Sequence, residues 1–431
     1  MMEQLLDMAK KVSDKAEVYS FDSEGDAISF ENGRLKDIES RMQSGVSLRI
    51  IKNDVQGFAY TRNLRDREEL VGNALGSLTG GVEGAFELAG SNEPAALETY
   101  DSSIETLTNA KMVEECSRVC ELLSQTTTGQ INVSASRSTG SLRLLNSSGS
   151  DLSSKFSRYG FHTSLLYPHT TASLSRTHRA KTFQEAPGEY LNFLSDTYNR
   201  SLKEVSPPKE KMKVIFLPET AYVLMWRLQS ATSGLSIYQN ISPLGRRIGE
   251  KIFDDTFTLY NNPLNDSLPG ARAFDDEGTP CAFFPLIENG VLRNFYYDLY
   301  FAHKLKALPM GHGFRGSISS KPAPSLGHLA MTPGDESFAD IVRSVDSGII
   351  IGGALGAHSG NIPHGDFSIG VSPAIYVEKG EIAGNVKDVM AAGNVYGTLK
   401  QIIAIENLLH PGHGGNFPAL LLDTVSVTIK K

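Results

Sequence analysis

The proline pair Pro207-Pro208 constrains the fold of this chain more than any other local feature. Neither proline can donate a backbone hydrogen bond, and together they end the helical pattern that precedes them. The segment around them, SPPKEK, is polar, as expected of a solvated linker. Most of the glycines and most of the histidines lie after residue 210, so the composition changes at this point. We therefore expect the main domain boundary near residue 206.

The chain before this boundary predicts two α+β units. An amphipathic opening helix is followed by alternating segments, and Asn32-Gly33 between two of them is typical of a type I′ hairpin turn. A further helical pattern closes this first unit, which we place over residues 1–85. A helix that begins after Thr108 and several strand-like segments predict a second unit over residues 100–205.

The chain after the boundary, residues 206–431, contains short apolar runs separated by Gly, Pro and Asn. This pattern predicts a mostly β, barrel-like domain with helices near residues 220–230 and 394–408. The expected fold class is α+β: N-terminal helix-plus-antiparallel-sheet units followed by this β-rich domain.

Charge and apolar content exclude several classes of protein. The net charge of -8 disfavours a surface that neutralises nucleic-acid phosphates. No apolar run approaches the roughly 20 residues that cross a bilayer. Acidic residues near the N-terminus differ from the basic end of a secretory signal. We expect a cytoplasmic globular protein that binds neither nucleic acid nor membrane.

The cysteines predict a structural role. Cys116 and Cys120 lie four residues apart on the apolar stripe of a helical pattern, where small buried side chains are common. Three cysteines in a chain of this length do not make a disulfide framework.

The histidines lack the spacing of a helix-borne zinc site. The chain contains no His-Glu pair, which excludes HExxH and HExxxH. Two looser groups lie among glycines and prolines, His358 with His364 and His410 with His413. Solvated loop histidines are the favoured interpretation. A metal site that uses His358, His364 or His410, in an independent hydrolase, is the alternative.

Two other motifs favour ordinary structure. Residues 311–316 match GxGxxG, but the segment SISSKPAPS that follows cannot form the helix that a dinucleotide site requires. The acids Asp275, Asp276 and Glu277 precede Gly278, and such a run is typical of a solvated turn, with a paired-carboxylate site as the alternative.

A series of phrases in the C-terminal half resembles the TldD/PmbA family of peptidase subunits. In order they are AFDDEGTP at 273–280, LIENGVLRNFYYDLYFAHKL at 286–305, GHGFR at 311–315, the run GNIPHGDF to VMAAGN at 360–394, and PALLLDTVSV at 418–427. Weaker similarity lies at 32–51 and 145–149. The motif positions of unassigned role are Asp275, Asp276, Glu277, Gly278, Gly311, Arg315, Gly365 and Asp366.

The resemblance implies two types of subunit, of which the catalytic one binds zinc through HExxxH on a helix and a cysteine nearer the C-terminus. The matching helix here reads ETAYVLMWRL, residues 219–228, and has no histidine. The segment 407–423 has no cysteine. This chain is thus similar to the TldE/PmbA type, and no catalytic residue can be carried over.

The resemblance therefore implies a subunit without its own cofactor, which pairs with a zinc-bearing TldD-type subunit to cleave unfolded or leader-like peptides. The apolar helix around Trp226 is expected to pack in the core or at a subunit interface. The alternative is a non-enzymatic peptide-binding adaptor, or a homodimer without a proteolytic partner.

Overall fold

The computed structural model of the chain describes residues 2–208 and 211–430. In the N-terminal part, 3-10 helices span Ser77–Gly80 and Ser102–Thr106. The other elements there are α1 (Met2–Lys10), β1 (Lys15–Glu31), β2 (Arg34–Lys52), β3 (Val55–Thr61), α2 (Arg67–Gly76), β4 (Val82–Glu83), α3 (Asn109–Ser124), β5 (Gln130–Asn146), β6 (Asp151–Leu166), β7 (Ser173–Ala180) and α4 (Gly188–Arg200).

These N-terminal strands form one antiparallel sheet in the order β4-β3-β2-β1-β5-β6-β7. The predicted turn joins β1 to β2: Asn32 and Gly33 both have positive φ, at 51° and 70°, as a type I′ turn requires. The strand β1 also pairs with β5, from Glu17 opposite Asn146 to Phe30 opposite Val133. The two predicted N-terminal units therefore share one continuous sheet.

The C-terminal part is richer in short strands. Its helices are α5 (Tyr222–Thr232), α6 (Gly234–Tyr238), α7 (Leu299–Leu305), α8 (Phe338–Arg343) and α9 (Val395–Thr398). Its first strands are β8 (Lys213–Phe216), β9 (Leu259–Asn261), β10 (Phe284–Glu288), β11 (Val291–Leu292), β12 (Gly313–Phe314), β13 (Ala323–Pro324), β14 (Leu329–Met331), β15 (Ser347–Ile351) and β16 (Ala354–Leu355). The remaining strands are β17 (Asp366–Val371), β18 (Ala374–Glu378), β19 (Glu381–Val386), β20 (Val389–Asn394), β21 (Ile402–Ile405), β22 (His410–Gly412), β23 (Gly415–Phe417), β24 (Leu420–Leu422) and β25 (Ser426–Ile429).

Within the described residues these strands form open sheets rather than a closed barrel. Two sheets of six strands run in the orders β11-β10-β9-β14-β23-β22 and β19-β18-β15-β8-β24-β21. A four-stranded sheet runs β16-β17-β20-β25, and β12 pairs with β13. The predicted α+β class is confirmed, with a helix-and-sheet N-terminal part and a β-rich C-terminal part.

The helix predicted near residues 394–408 is wrong beyond Thr398. The short helix α9 ends there, and the chain continues into β21, which pairs with β24. Ile402, Ile403 and Ile405 are β-branched and favour a strand when a neighbouring strand is available. The helix predicted near 220–230 is present as α5.

The six-stranded sheet that contains β8 and β15 packs against other elements on both of its faces. One face carries Val214, Phe216 and Ile349 into the C-terminal core. The other face carries Ile215 and Ile350 into a second core, which α3, α4 and strands of the N-terminal sheet complete. The N-terminal and C-terminal parts therefore share a hydrophobic core.

The helix α3 places both of its cysteines in that shared core. Thr108 caps the helix, because its side chain accepts a hydrogen bond from the Lys111 backbone N–H. Cys116 and Cys120 are buried and free, which confirms the predicted core placement. Burial raises the pKa of Cys116 to about 12 and that of Cys120 to about 11, so both remain protonated thiols at neutral pH.

The division into 1–85, 100–205 and 206–431 stays a prediction. The helix α4 ends at Arg200 and β8 begins at Lys213, with Pro207 and Pro208 in irregular chain between them. Lys209 and Glu210 of the predicted linker lie outside the described residues. Among the helices of residues 2–208 and 211–430, none combines the length and apolar character that a membrane crossing needs.

Candidate functional site

The three adjacent acids of the motif are buried, so the predicted solvated turn is wrong. Asp275, Asp276 and Glu277 are 1%, 4% and 1% exposed. They do form a turn, in which the Gly278 N–H donates to the Asp275 carbonyl, and Gly278 has a φ of +83° that favours glycine. The turn packs against the N-terminal sheet, and guanidinium groups take the place of solvent.

A chain of ion pairs links this turn to the N-terminal sheet. Arg49 on β2 donates from Nη1 to Glu277 Oε1 and from Nη2 to Glu17 Oε2, each over 2.7 Å. Arg315 donates from Nη2 to Glu17 Oε1 over 2.6 Å. Glu17 on β1 and Arg49 are opposite each other in the strand register, so the sheet itself fixes their pairing. We call Glu17, Arg49, Glu277 and Arg315 the junction cluster.

The other two acids tie the turn to the segment that carries Gly311 and Arg315. Asp275 accepts from the Gly313 N–H over 2.8 Å. Asp276 accepts from the Arg315 N–H over 2.8 Å and from Arg272 Nη2 over 2.6 Å. These bonds explain the spacing of the motif, because each acid reaches a defined backbone donor in the segment 311–315.

Gly311 fills a position where a side chain does not fit. Its φ is +76°, and a Cβ placed there would lie 2.6 Å from the Pro280 carbonyl oxygen. Gly311 thus lets this segment pass close to the chain that leaves the turn.

The oxygens of these carboxylates are occupied by protein donors. The second Glu277 oxygen, Oε2, accepts from the Leu299 N–H at the start of α7 over 2.7 Å. Asp275 Oδ1 accepts from the backbone N–H groups of Glu277 and Thr279, each over 2.9 Å. A general base must present an oxygen to a water or substrate, and this arrangement instead directs every carboxylate at the protein itself. The geometry indicates a structural role.

Burial shifts the pKa values of the carboxyl groups in and beside this turn. It raises the pKa of Asp275, and the charge of Glu277 adds to the effect. It also raises the pKa of Glu277, although Arg49 opposes this. Asp298 lies near Glu277 and caps α7 by accepting from the Phe301 N–H over 2.8 Å. Burial, followed by the Glu277 charge, raises the pKa of Asp298 to about 7.

Gly365 and Asp366 lie in a different environment. The Asp366 side chain is exposed and accepts from Asn394 Nδ2 over 2.8 Å. Its backbone carbonyl accepts from Arg227 Nε over 2.6 Å, and Gly365 packs against the Tyr396 ring. Arg227, on α5, is fully buried and also donates to the Ser359 carbonyl. It therefore fixes the loop that ends at Asp366 to the helix.

The histidines of the alternative metal site do not form a cluster within the described residues. His358 and His364 are exposed. His410 has both ring nitrogens engaged: Nδ1 lies 2.6 Å from an Arg176 guanidinium nitrogen, and Nε2 lies 3.1 Å from Glu406 Oε1. In residues 2–208 and 211–430, no group of three or more His, Cys, Asp or Glu side chains is placed to hold a metal ion.

Helix α5 and the segment 407–423, where the resemblance would place zinc ligands, approach each other. The Tyr222 ring, at the start of α5, meets the His413 ring with centroids 5.3 Å apart. A Cβ placed on Gly414 would lie 3.9 Å from Gln229 Nε2 of the same helix. An aromatic pair and an amide therefore lie where α5 and the segment after His410 meet.

The partners of the motif acids were not predicted from the sequence. Glu17 in AEVYSF and Arg49 in VSLRII are single charges inside apolar strand segments, and that is the signal by which they are recognisable. Glu219 was not predicted from the sequence either. Its carboxylate oxygens are buried without a hydrogen-bond partner among the described residues. Burial raises the pKa of Glu219, although the charge of Arg176 opposes this.

Comparisons with known proteins agree on one family. The family model of the PmbA/TldA metallopeptidase C-terminal domain matches residues 209–429, and that of domain 1 matches residues 16–78. A metalloprotease of Methanothermobacter thermautotrophicus is 25% identical over 426 residues, which cover 95% of this chain and 91% of the relative. A metalloprotease PmbA homolog of Haemophilus influenzae is 27% identical over 221 residues, 51% of this chain and 46% of the relative.

The fold also resembles a solved structure. TldE from Thermococcus kodakarensis superposes with a TM-score of 0.91 and covers 99% of both chains at 21% identity. At that identity the likeness concerns the fold alone.

We predict that Arg49→Met lowers the free energy of unfolding by about 3–5 kcal/mol, because it leaves Glu17 and Glu277 buried without their shared cation. Urea unfolding followed by circular dichroism measures this change. Arg143→Met is the matched control: Arg143 also pairs with two acids, Glu3 and Asp151, but at the surface, where the loss is about 1 kcal/mol or less. Equal losses of unfolding free energy in the two variants would contradict the burial of the junction cluster.

We also predict that Asp298→Asn reduces the pH dependence of stability between pH 4 and 7. The folded chain holds a proton on Asp298 up to about pH 7, whereas the unfolded chain releases it near pH 4. The associated stability is fully present below pH 4 and is lost as the pH rises through 7. Asparagine keeps the helix cap but does not titrate.

Unfolding free energies at pH 5 and pH 8 test this prediction. The wild-type chain should lose more stability between the two values than Asp298→Asn, while Asp346→Asn, at an exposed aspartate, should follow the wild type. An identical loss in wild type and Asp298→Asn would show that Asp298 does not hold the proton.

Proposed function

The chain belongs to the PmbA/TldA metallopeptidase family, and from this premise we propose that it is the metal-free, TldE-like subunit of a cytoplasmic two-component peptidase. Its partner is a zinc-bearing TldD-type subunit, and the complex cleaves unfolded or leader-like peptides. In this assignment the partner supplies the zinc and the glutamate that activate water, and this chain supplies none of the catalytic groups.

The observation that carries the proposal is the chemistry of the two matching segments. The helix α5 has no histidine and the segment 407–423 has no cysteine, although the fold brings both segments together at Tyr222 and His413. A tyrosine and a single imidazole do not provide the set of three protein ligands that a catalytic zinc requires. The missing histidine and cysteine support the proposal that this subunit holds no catalytic metal of its own.

Exposed apolar side chains support a partner that contacts α5 and the chain after it. Trp226 is 41% exposed on α5, whereas its neighbours Val223 and Met225 are buried. Further exposed large apolar side chains follow within a short stretch, at Leu235, Tyr238, Ile241 and Ile248. Large apolar side chains concentrated in one exposed stretch are typical of an interface that is covered by another subunit.

We expect this chain alone to leave unstructured peptides intact and its mixture with the zinc-bearing relative to cleave them. A chelator should abolish the activity, because only the partner's metal activates water. Co-purification measures the complex, peptide hydrolysis followed by mass spectrometry measures the reaction, and elemental analysis of this chain alone measures zinc. Trp226→Ala should weaken the complex by about tenfold or more, as for a buried aromatic anchor.

Met42→Ala is the control for that variant, because Met42 is a large apolar side chain, 85% exposed, on β2 and outside the stretch 226–248. Two outcomes would contradict the proposal. If the relative cleaves equally fast without this chain and no complex forms at micromolar concentration, the adaptor or homodimer takes its place. About one zinc per chain, lost on replacing His358 or His364, would instead favour the independent hydrolase.

A further inference from the structure

A cavity of about 510 Å³ lies between the N-terminal sheet and the loops of the C-terminal part. Strands β5, β6 and β7 form one wall, and the chain around Gly270 and His328 forms the other. A second cavity of about 170 Å³ shares Arg179, Pro269 and His328 with the first and extends it towards the segment 411–416. We call the two together the cationic cleft.

The charges that line the cationic cleft have one sign. The cations that face it are Arg158, Arg179 and Arg272. The imidazole of His328, whose pKa is lowered by burial, lies beside them. None of the described residues that line either cavity is an aspartate or glutamate. The chain as a whole carries a net charge of -8, so this cleft differs in sign from the molecule around it.

Two of the arginines have no acidic partner. Arg272 is neutralised by Asp276 over 2.6 Å. The Arg179 side chain donates only to the Gly412 carbonyl, over 3.3 Å, and the Arg158 side chain forms no ion pair or hydrogen bond with the described residues. Burial, and then the charges of Arg272 and Arg179, lower the pKa of Arg158. Placing an anion among these groups would relieve that repulsion.

Aromatic rings hold these guanidinium groups in place without neutralising them. The Arg158 guanidinium lies 4.8 Å from the Phe156 ring centroid, and that of Arg272 lies 5.3 Å from the Phe314 ring centroid. Such stacking uses a face of the guanidinium plane and leaves the N–H groups at its edge free to bind an acceptor.

The Arg158 guanidinium and the His328 imidazole meet beside a glycine. A Cβ placed on Gly270 would lie 3.4 Å from His328 Nε2 and 3.6 Å from Arg158 Nη2. The absence of a side chain there leaves room between the imidazole and the guanidinium. Carboxylate and phosphate groups are the ligands that arginine N–H groups bind in this planar, forked geometry.

We propose that the cationic cleft binds an oxyanion, a carboxylate or a phosphate group, through Arg158 and Arg179 beside His328. The site is independent of the partner role proposed above, since it uses only side chains of this chain and needs no zinc. Arg158 and Arg179 come from the N-terminal sheet and His328 from the C-terminal part, so a bound oxyanion would link the two.

Titration calorimetry of the full chain in a low-salt buffer without oxyanions tests the site with three probes. These are inorganic phosphate, trialanine with its free terminal carboxylate, and trialanine amide. We expect phosphate or trialanine to bind at one site, and Arg158→Gln and Arg179→Gln each to weaken that binding by about tenfold or more, as for a lost hydrogen bond to a charged group. Both side chains are exposed to the cleft, so the variants should fold.

Arg62→Gln is the matched control, because Arg62 is exposed, forms no ion pair with the described residues and lies outside the cleft. It should change binding less than about twofold, the size of a screened long-range effect. Binding of phosphate alone identifies a phosphate site, and binding of trialanine but not its amide identifies a terminal carboxylate. No binding of phosphate or trialanine up to about 10 mM, or equal weakening by Arg62→Gln, would overturn the assignment.

Discussion

The arrangement of this molecule depends on Arg49, which stands between Glu17 and Glu277 where the N-terminal sheet meets the C-terminal part. Removing these groups from water is unfavourable. The pairing offsets that cost by matching Arg49 Nη1 to Glu277 and Arg49 Nη2 to Glu17, whereas Arg49 Nε has no hydrogen-bond partner among the described residues. The same Glu277 receives the first N–H of α7, and Arg315 closes the set from the segment 311–315. These bonds fix the turn at Asp275–Gly278, the start of α7 and the N-terminal sheet relative to one another.

The structural role of these ion pairs means that the motif acids do not by themselves indicate a catalytic function. In the sequence, Asp275, Asp276 and Glu277 have the composition of an acid–base site, yet in the structure their oxygens bind arginines and backbone N–H groups of the chain. In this chain the motif therefore connects the C-terminal part to the N-terminal sheet. The proposed function relies instead on α5, which has no histidine, on the segment 407–423, which has no cysteine, and on the exposed stretch that begins at Trp226.

Local patterns predicted local structure well. The Asn32-Gly33 turn, the cap at Thr108 and the buried cysteines of α3 all follow from short-range rules, and the α+β class follows from their order. Contacts between distant segments could not be predicted in this way. Local rules predict that the acids 275–277 are solvated. Segments that are distant in sequence bury them, among them β2, more than two hundred residues away, and the segment 311–315. The pairing of β21 with β24 likewise overrides a helical pattern.

A double-mutant cycle on Arg49 and Glu277 tests most directly whether the motif acids hold the two parts together. The unfolding free energies of the wild type, Arg49→Met, Glu277→Leu and the double variant give the coupling energy of the pair. A buried ion pair in direct contact should give a coupling of about 2–3 kcal/mol, with the double variant more stable than the sum of the single losses implies. Losses that add to within about 0.3 kcal/mol would contradict this account, because they would mean that the two groups do not depend on each other.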